Sequence, residues 1–213
     1  MNIQQNALEG LLSRYSLGIK HLGDPGPDDV QIEKLLAAAL RAPDHERLMP
    51  WRMSLVRGAA RQQLAELFEA HARLQGKSPE SVALERERAL KAPLTVAIIA
   101  RIDHGHQKVP AHEQWITIGG AITNLLNAAH LMGFAAKTLS GDKVRAQPIV
   151  QAFCQPGEQL VAWVAIGTPK VSGQAHHVSR LSGHHQATTP RMAYEDWMGV
   201  GHLQSTGSSR SLR

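Results

Sequence analysis

Residues 112–140 read HEQWITIGGAITNLLNAAHLMGFAAKTLS, and their pattern decides the fold. Positions 112–132 carry apolar residues at Ile116, Ile118, Ile122, Leu125, Leu126 and Leu131, spread over more than one side of a helix. A helix that is apolar on several faces belongs at the centre of a fold or in an interface between chains. Gly133 ends it in the manner of a C-terminal glycine. FAAKTLS (134–140) then predicts a strand.

Working outward, PLTVAIIAR (93–101) is a nearly continuous apolar run, and it predicts a strand buried on both faces. LVAWVAIG (160–167) predicts a second buried strand, stopped by Thr168-Pro169. A helix is expected over 142–153 between the last two strands. WRMSLVR (51–57) alternates and predicts a further strand. Residues 59–75 and 79–91 predict two helices. Near the N-terminus, 3–13 predicts a short helix, and another starts at Pro27-Asp28-Asp29, where acidic residues suit the positive helix end. Pro43 ends it, because the residue before proline avoids the α region. The segment SRYSLGIKHLGDPGP between these two helices reads as a loop. Two helices separate the first strand from the second, and a long helix precedes the third. That order predicts an α+β fold rather than a doubly wound sheet.

With 213 residues, 43% of them apolar, the chain can build one domain with a real core. The net charge is +5. Residues 170–213 contribute +3 through Lys170, Arg180, Arg191, Arg210 and Arg213 against Glu195 and Asp196, so the body is only +2. No basic helix or stripe marks a nucleic-acid face. No run approaches the roughly 18 apolar residues of a membrane span. The start, MNIQQNALEG, lacks a basic segment followed by an apolar one, so no secretory signal is expected. One cysteine, Cys154, excludes an internal disulfide and reads as a structural thiol. A cytoplasmic location is the expectation. Beyond Lys170 a weak helix is expected over 190–198, and the last dozen residues are expected to be disordered.

The usual catalytic motifs are missing: there is no G-x-G-x-x-G, no phosphate loop, no H-E-x-x-H and no G-x-S-x-G. His104, His106 and His112, with Asp103 and Glu113 nearby, form a loop that could ligate a metal, or they are simply solvated. Two short clusters remain. Arg14-Tyr15-Ser16 follows the first helix, and Arg41-Ala42-Pro43-Asp44-His45 runs toward Met49-Pro50-Trp51. A guanidinium and a hydroxyl two residues apart can grip a phosphate. An ordinary cationic helix end is the competing reading.

The order of motifs resembles the FMN-dependent nitroreductase family, in particular its short single-domain bacterial members. The resemblance covers roughly residues 8–170. It rests on LEGLLSRYS, RAPDHERLMPW, APLTVAIIAR, KVPAHEQWITIGGAITNLLNAAHLMGFAAKTLSG and AIGTPK.

The resemblance implies a homodimer with a mixed sheet flanked by helices and FMN at two interface sites. It implies that Arg14, Tyr15 and Ser16 bind FMN, with Arg14 and Ser16 on the phosphate. It implies that Thr138, Leu139 and Ser140 line the flavin, and that Arg41 and His45 reach it from the partner subunit. Tyr15 stands where the family has a second arginine, and Thr138-Leu139 where close relatives often have Trp-Arg. Lys20, Lys137 or Arg180 would have to replace the missing charge. Residues 171–213 are a C-terminal extension expected to embrace the partner in part. The implied activity is hydride transfer from NAD(P)H through flavin to a nitroaromatic or quinone by a ping-pong route, with no catalytic side chain and no metal. A flavin carrier or sensor, and a metal hydrolase built on the histidine loop, are the alternatives.

Overall fold

The computed structural model describes residues 3–170. The expectations for the C-terminal extension, including the 190–198 helix, its embrace of a partner, its disordered end and a role for Arg180, lie outside the described residues.

Six helices and five strands follow one another in the described chain: α1 (Ile3–Ser13), β1 (Leu22–Gly23), α2 (Asp29–Ala39), β2 (Trp51–Arg57), α3 (Ala60–Leu74), α4 (Pro79–Leu90), β3 (Leu94–Ala100), α5 (Ala111–Leu131), β4 (Ala135–Leu139), α6 (Gln147–Phe153) and β5 (Gln159–Pro169). The fold is α+β, as expected. β5 is the hub of the sheet, pairing with β1, β3 and β4, and β3 pairs in turn with β2. Every one of these pairings is antiparallel. The parallel component of the expected mixed sheet is a single bridge from Ser16 to Ala136.

β3 is buried along its whole length. Strand geometry sends alternate side chains to opposite faces, so Leu94, Val96, Ile98 and Ala100 meet α2 and α5. Ala97 and Ile99 meet the layer made by α3, α4 and α6. α2 begins with a reciprocal cap, in which Gln31 N–H donates to Asp28 Oδ1 at 2.8 Å and Asp28 N–H donates to Gln31 Oε1 at 2.9 Å.

α5 turns its stripe of Gln114, Thr117, Ile118, Ala121, Leu125 and Ala129 to the core. Ile116 stays 67% exposed and Leu131 52% exposed. The helix therefore carries apolar surface that the described residues leave exposed. Gly133 follows it with φ +86° and redirects the chain into β4.

Two local expectations are corrected. The helix over 142–153 is divided into a 3-10 turn, Asp142–Arg145, and α6. Pro148 is the reason: proline has no N–H to give and is tolerated only in the first turn, so the helix restarts at Gln147. The N-terminal loop contains β1, a strand too short to show any periodicity.

Candidate active site

The bridge between Ser16 and Ala136 lays the Arg14-Tyr15-Ser16 segment beside the start of β4. Tyr15 sits edge-on to His130, with ring centroids 6.3 Å apart. Ser13 Oγ lies 3.1 Å from His130 Nε2 and donates to Gly10 O at 3.0 Å. Burial, and then the charge of Arg14, hold His130 below the ordinary histidine range. Arg14 is half-buried, and its guanidinium has no carboxylate partner among the described residues.

β4 carries this segment to the other expected residues. Lys137, Leu139 and Ser140 line a cavity of about 300 Å³ between the sheet and the α3–α4 layer. Leu64 and Phe68 of α3, Glu85 and Arg88 of α4, and Trp163 of β5 complete its main walls. Thr138 faces the opposite side of the strand, where its Oγ1 is buried without a hydrogen-bond partner. Arg14, Tyr15 and Ser16 do not line this cavity. Tyr15 does belong to the same small apolar cluster as Ile19 and Leu139, which joins the two places.

The cavity's polar wall is cross-braced. Glu85 is buried and pairs with Lys143 at 2.9 Å, Arg88 at 3.0 Å and Lys77 at 3.3 Å. Burial alone would raise its carboxyl, but the bonds from Lys143 and Lys77 outweigh that and hold it low. His71, also buried, meets Asp142 Oδ2 through Nε2 at 3.1 Å. That contact is the main cause of a lowered Asp142 carboxyl. These pairs pin the 3-10 turn after Ser140 to α3 and α4.

Arg41 and His45 lie elsewhere in the chain. Thr117 Oγ1 donates to Pro43 O at 2.9 Å, and a Cβ at Gly120 would stand 3.2 Å from Ala42 Cβ, so this loop rides directly on α5. His45 Nδ1 meets Glu113 Oε2 at 2.8 Å. Asp44 Oδ2 accepts from Met49 N–H at 2.8 Å. Glu46, Arg47 and Met49 all adopt positive φ, near +57°, +56° and +49°. Three non-glycine residues in this region within one loop store strain of the kind found at ligand clamps.

The loop is thus anchored around Glu113–Gly120, and the Arg14 segment around His130–Ala136. Thr117 and His130 are about thirteen residues apart on one helix, roughly 20 Å. Within one chain the two clusters are not brought together. Both Arg41 and His45 are exposed.

The described part of the histidine loop is held by hydrogen bonds of its own. Among the described residues no group of three or more ligating side chains converges. His106 Nδ1 instead accepts from Val109 N–H at 3.0 Å. The buried Gln114 holds the same loop by donating to Asp103 O and Val109 O at 2.7 and 2.9 Å and accepting from Asp103 N–H at 2.9 Å. Cys154 is half-buried, and burial first, then Glu158, raise its thiol, which makes it a poor nucleophile. Among the described residues, no helix is long and apolar enough to cross a membrane. Sequence reasoning missed the cavity walls Phe68, Glu85 and Trp163. The one signal pointing there was the alternation of β4, which puts Lys137 on the same face as Leu139.

Comparison with known proteins gives the family and the fold. The profile of the nitroreductase family matches residues 11–168. A protein of Escherichia coli K12 with the provisional name NAD(P)H nitroreductase YdjA is 30% identical over 167 residues, spanning 78% of this chain and 90% of that protein. The crystal structure of a nitroreductase-like family protein from Bacillus cereus superposes with a TM-score of 0.67 at 19% identity, over 80% of this chain and 89% of the other. The FMN-dependent nitroreductase NfnB from Mycobacterium smegmatis, solved with NADPH, gives a TM-score of 0.62 at 14% identity, over 82% and 92% of the two chains. By its matched profile, and by a relative at 30% identity along most of its length, the chain belongs to the nitroreductase family.

Proposed function

We propose that this protein is an FMN-dependent oxidoreductase that works as a cytoplasmic homodimer. It takes hydride from NADH or NADPH and delivers it to an electron-poor acceptor, a nitroaromatic or a quinone. Donor and acceptor use the site in turn. The observation that carries this reading is the Ser16–Ala136 bridge, which aligns Arg14 and Ser16 with the strand ending in Thr138, Leu139 and Ser140.

The residues present fit FMN. Among the described residues, the Arg14, Arg41 and Lys137 side chains have no carboxylate partner. In this reading Arg14 and Ser16 supply a charged donor and a hydroxyl to the phosphate. Tyr15 packs beside them, and Leu139 and Ser140 offer a cavity edge to the ring. Arg41 and His45, exposed on their own chain, serve the partner's site. Bound flavin supplies the two-electron chemistry, and the protein supplies position, field and exclusion of water. No side chain has to act as a nucleophile.

The test is direct. The purified protein is expected to be yellow, or to become so with FMN. Anaerobic NADH or NADPH should bleach it, and a nitroaromatic or quinone should restore the colour. Protein that takes up no FMN overturns the proposal. Protein that binds FMN but is not bleached by either nucleotide leaves a flavin carrier in place of an enzyme.

A further inference from the structure

The cavity under α3 and α4 contains three cations on its walls: Arg88, Lys137 and Lys143. Two are engaged, since Arg88 and Lys143 both bind Glu85. Lys137 is different. It reaches the cavity from β4, on the strand face shared with Leu139, and is partly buried. Among the described residues its ammonium has neither a hydrogen bond nor an ion pair. Holding an uncompensated ammonium partly out of water is costly, and an anionic partner removes that cost. The walls also carry two carboxylates, Glu85 and Asp142, but Glu85 is paired with Lys143 and Arg88 and Asp142 with His71, while Leu64, Phe68, Leu139 and Trp163 offer apolar and aromatic surface that suits a flat ring. Arg14, the cation suited to a phosphate, does not line this space.

We propose that Lys137 steadies the negative charge that a flavin ring acquires on two-electron reduction; this rests on the flavin reading above. Lys137 would touch the ring rather than the phosphate and would favour the reduced form over the oxidised one. A guanidinium at this position would keep the charge, and an amide would lose it.

The experiment uses the full chain as wild type, Lys137→Gln, Lys137→Met and Lys137→Arg. Each is titrated as apoprotein with FMN and with riboflavin, and each flavin-loaded protein is taken through spectroelectrochemistry. Lys137→Gln and Lys137→Met are expected to lower the midpoint potential, by about 30 mV for each tenfold loss of preference for the reduced ring. Lys137→Arg should recover most of that shift. The dissociation constant for oxidised FMN should change by less than about threefold, and the preference for FMN over riboflavin should stay as in wild type. If both neutral variants keep the wild-type potential, the proposal is wrong while the flavin reading stands. Loss of the preference for FMN over riboflavin also overturns it, because Lys137 would then be a phosphate ligand. Wild-type protein that takes up no FMN overturns the flavin reading and this proposal with it.

Discussion

Arg52 forks onto Glu158 with bonds of 2.8 and 2.6 Å and gives a third to Phe153 O at 2.6 Å. The bonds from Arg52 are the main reason that the Glu158 carboxyl is lowered from 4.5 to about 2. A carboxyl lowered in the folded state stabilises it above the unfolded value. That contribution is complete above about pH 4.5 and is lost as the pH falls through about 2. Glu158→Gln should therefore cost about 1.5–3 kcal/mol near neutrality, the range for hydrogen bonds to charged groups. At roughly 2–4 °C per kcal/mol, a thermal melt will resolve it. The gap between wild type and variant should close as melts are repeated from pH 4.5 downward, and a gap independent of pH would argue against the pair. Arg14 is the opposite case, with no carboxylate to hold among the described residues. Arg14→Ala should raise the dissociation constant for FMN about tenfold or more, since a charged contact to phosphate is worth roughly 1.5–3 kcal/mol. Titration of apoprotein decides it, and an unchanged constant would reduce Arg14 to a helix-end cation.

At the scale of elements, α5 and α1 carry the surplus apolar surface. Leu12 is 77% exposed, and Leu8, Leu11, Ile116 and Leu131 are exposed with it. Leu131 also packs against Gly10, where a Cβ would stand 2.4 Å from its Cδ2, so α1 lies beside the C-terminal end of α5, while Ile116 is about 22 Å away toward the other end. In the proposed dimer, exposed apolar residues at these places are where a partner would bury surface. Ile116→Glu and Leu12→Glu, made separately, should shift the protein toward monomer in light scattering and lower its FMN content together. A monomer that keeps stoichiometric FMN would sink the shared-site reading. The apolar excess of α5 was legible in the sequence because helical periodicity is local. So was β3, as a run too apolar to face water. β1 was not legible, because a two-residue strand exists only through its partner, β5. The division at Ala146 was readable in principle from Pro148. Beyond the β4 alternation, the cavity was out of reach of sequence reasoning, since its walls come from α3, α4, β4 and β5 and meet only after the sheet has formed. Arg14, Ser16, Arg41 and His45 were named on family resemblance; spacing alone could not separate them from helix-end and loop residues.

At the scale of the whole molecule, the roughly 20 Å along α5 between the Arg41–His45 loop and the Arg14 segment yields the sharpest prediction. If each site takes Arg14 from one chain and Arg41 from the other, two defective chains can repair each other. An Arg14→Ala chain still offers an intact Arg41 to its partner. An Arg41→Ala chain still offers an intact Arg14. A mixed dimer of the two then contains one site with both native arginines and one with neither. With equal amounts and random exchange, half of the dimers are mixed, so roughly a quarter of all sites should be native. The measurement is NADH- or NADPH-driven flavin reduction after the two variants have been mixed, unfolded and refolded together, with each variant treated alone as control. Recovery toward a quarter of the wild-type signal is the expected result. Recovery no better than the average of the two controls would mean that each chain builds its site alone, and Arg41 would then act only through the loop that holds it against α5.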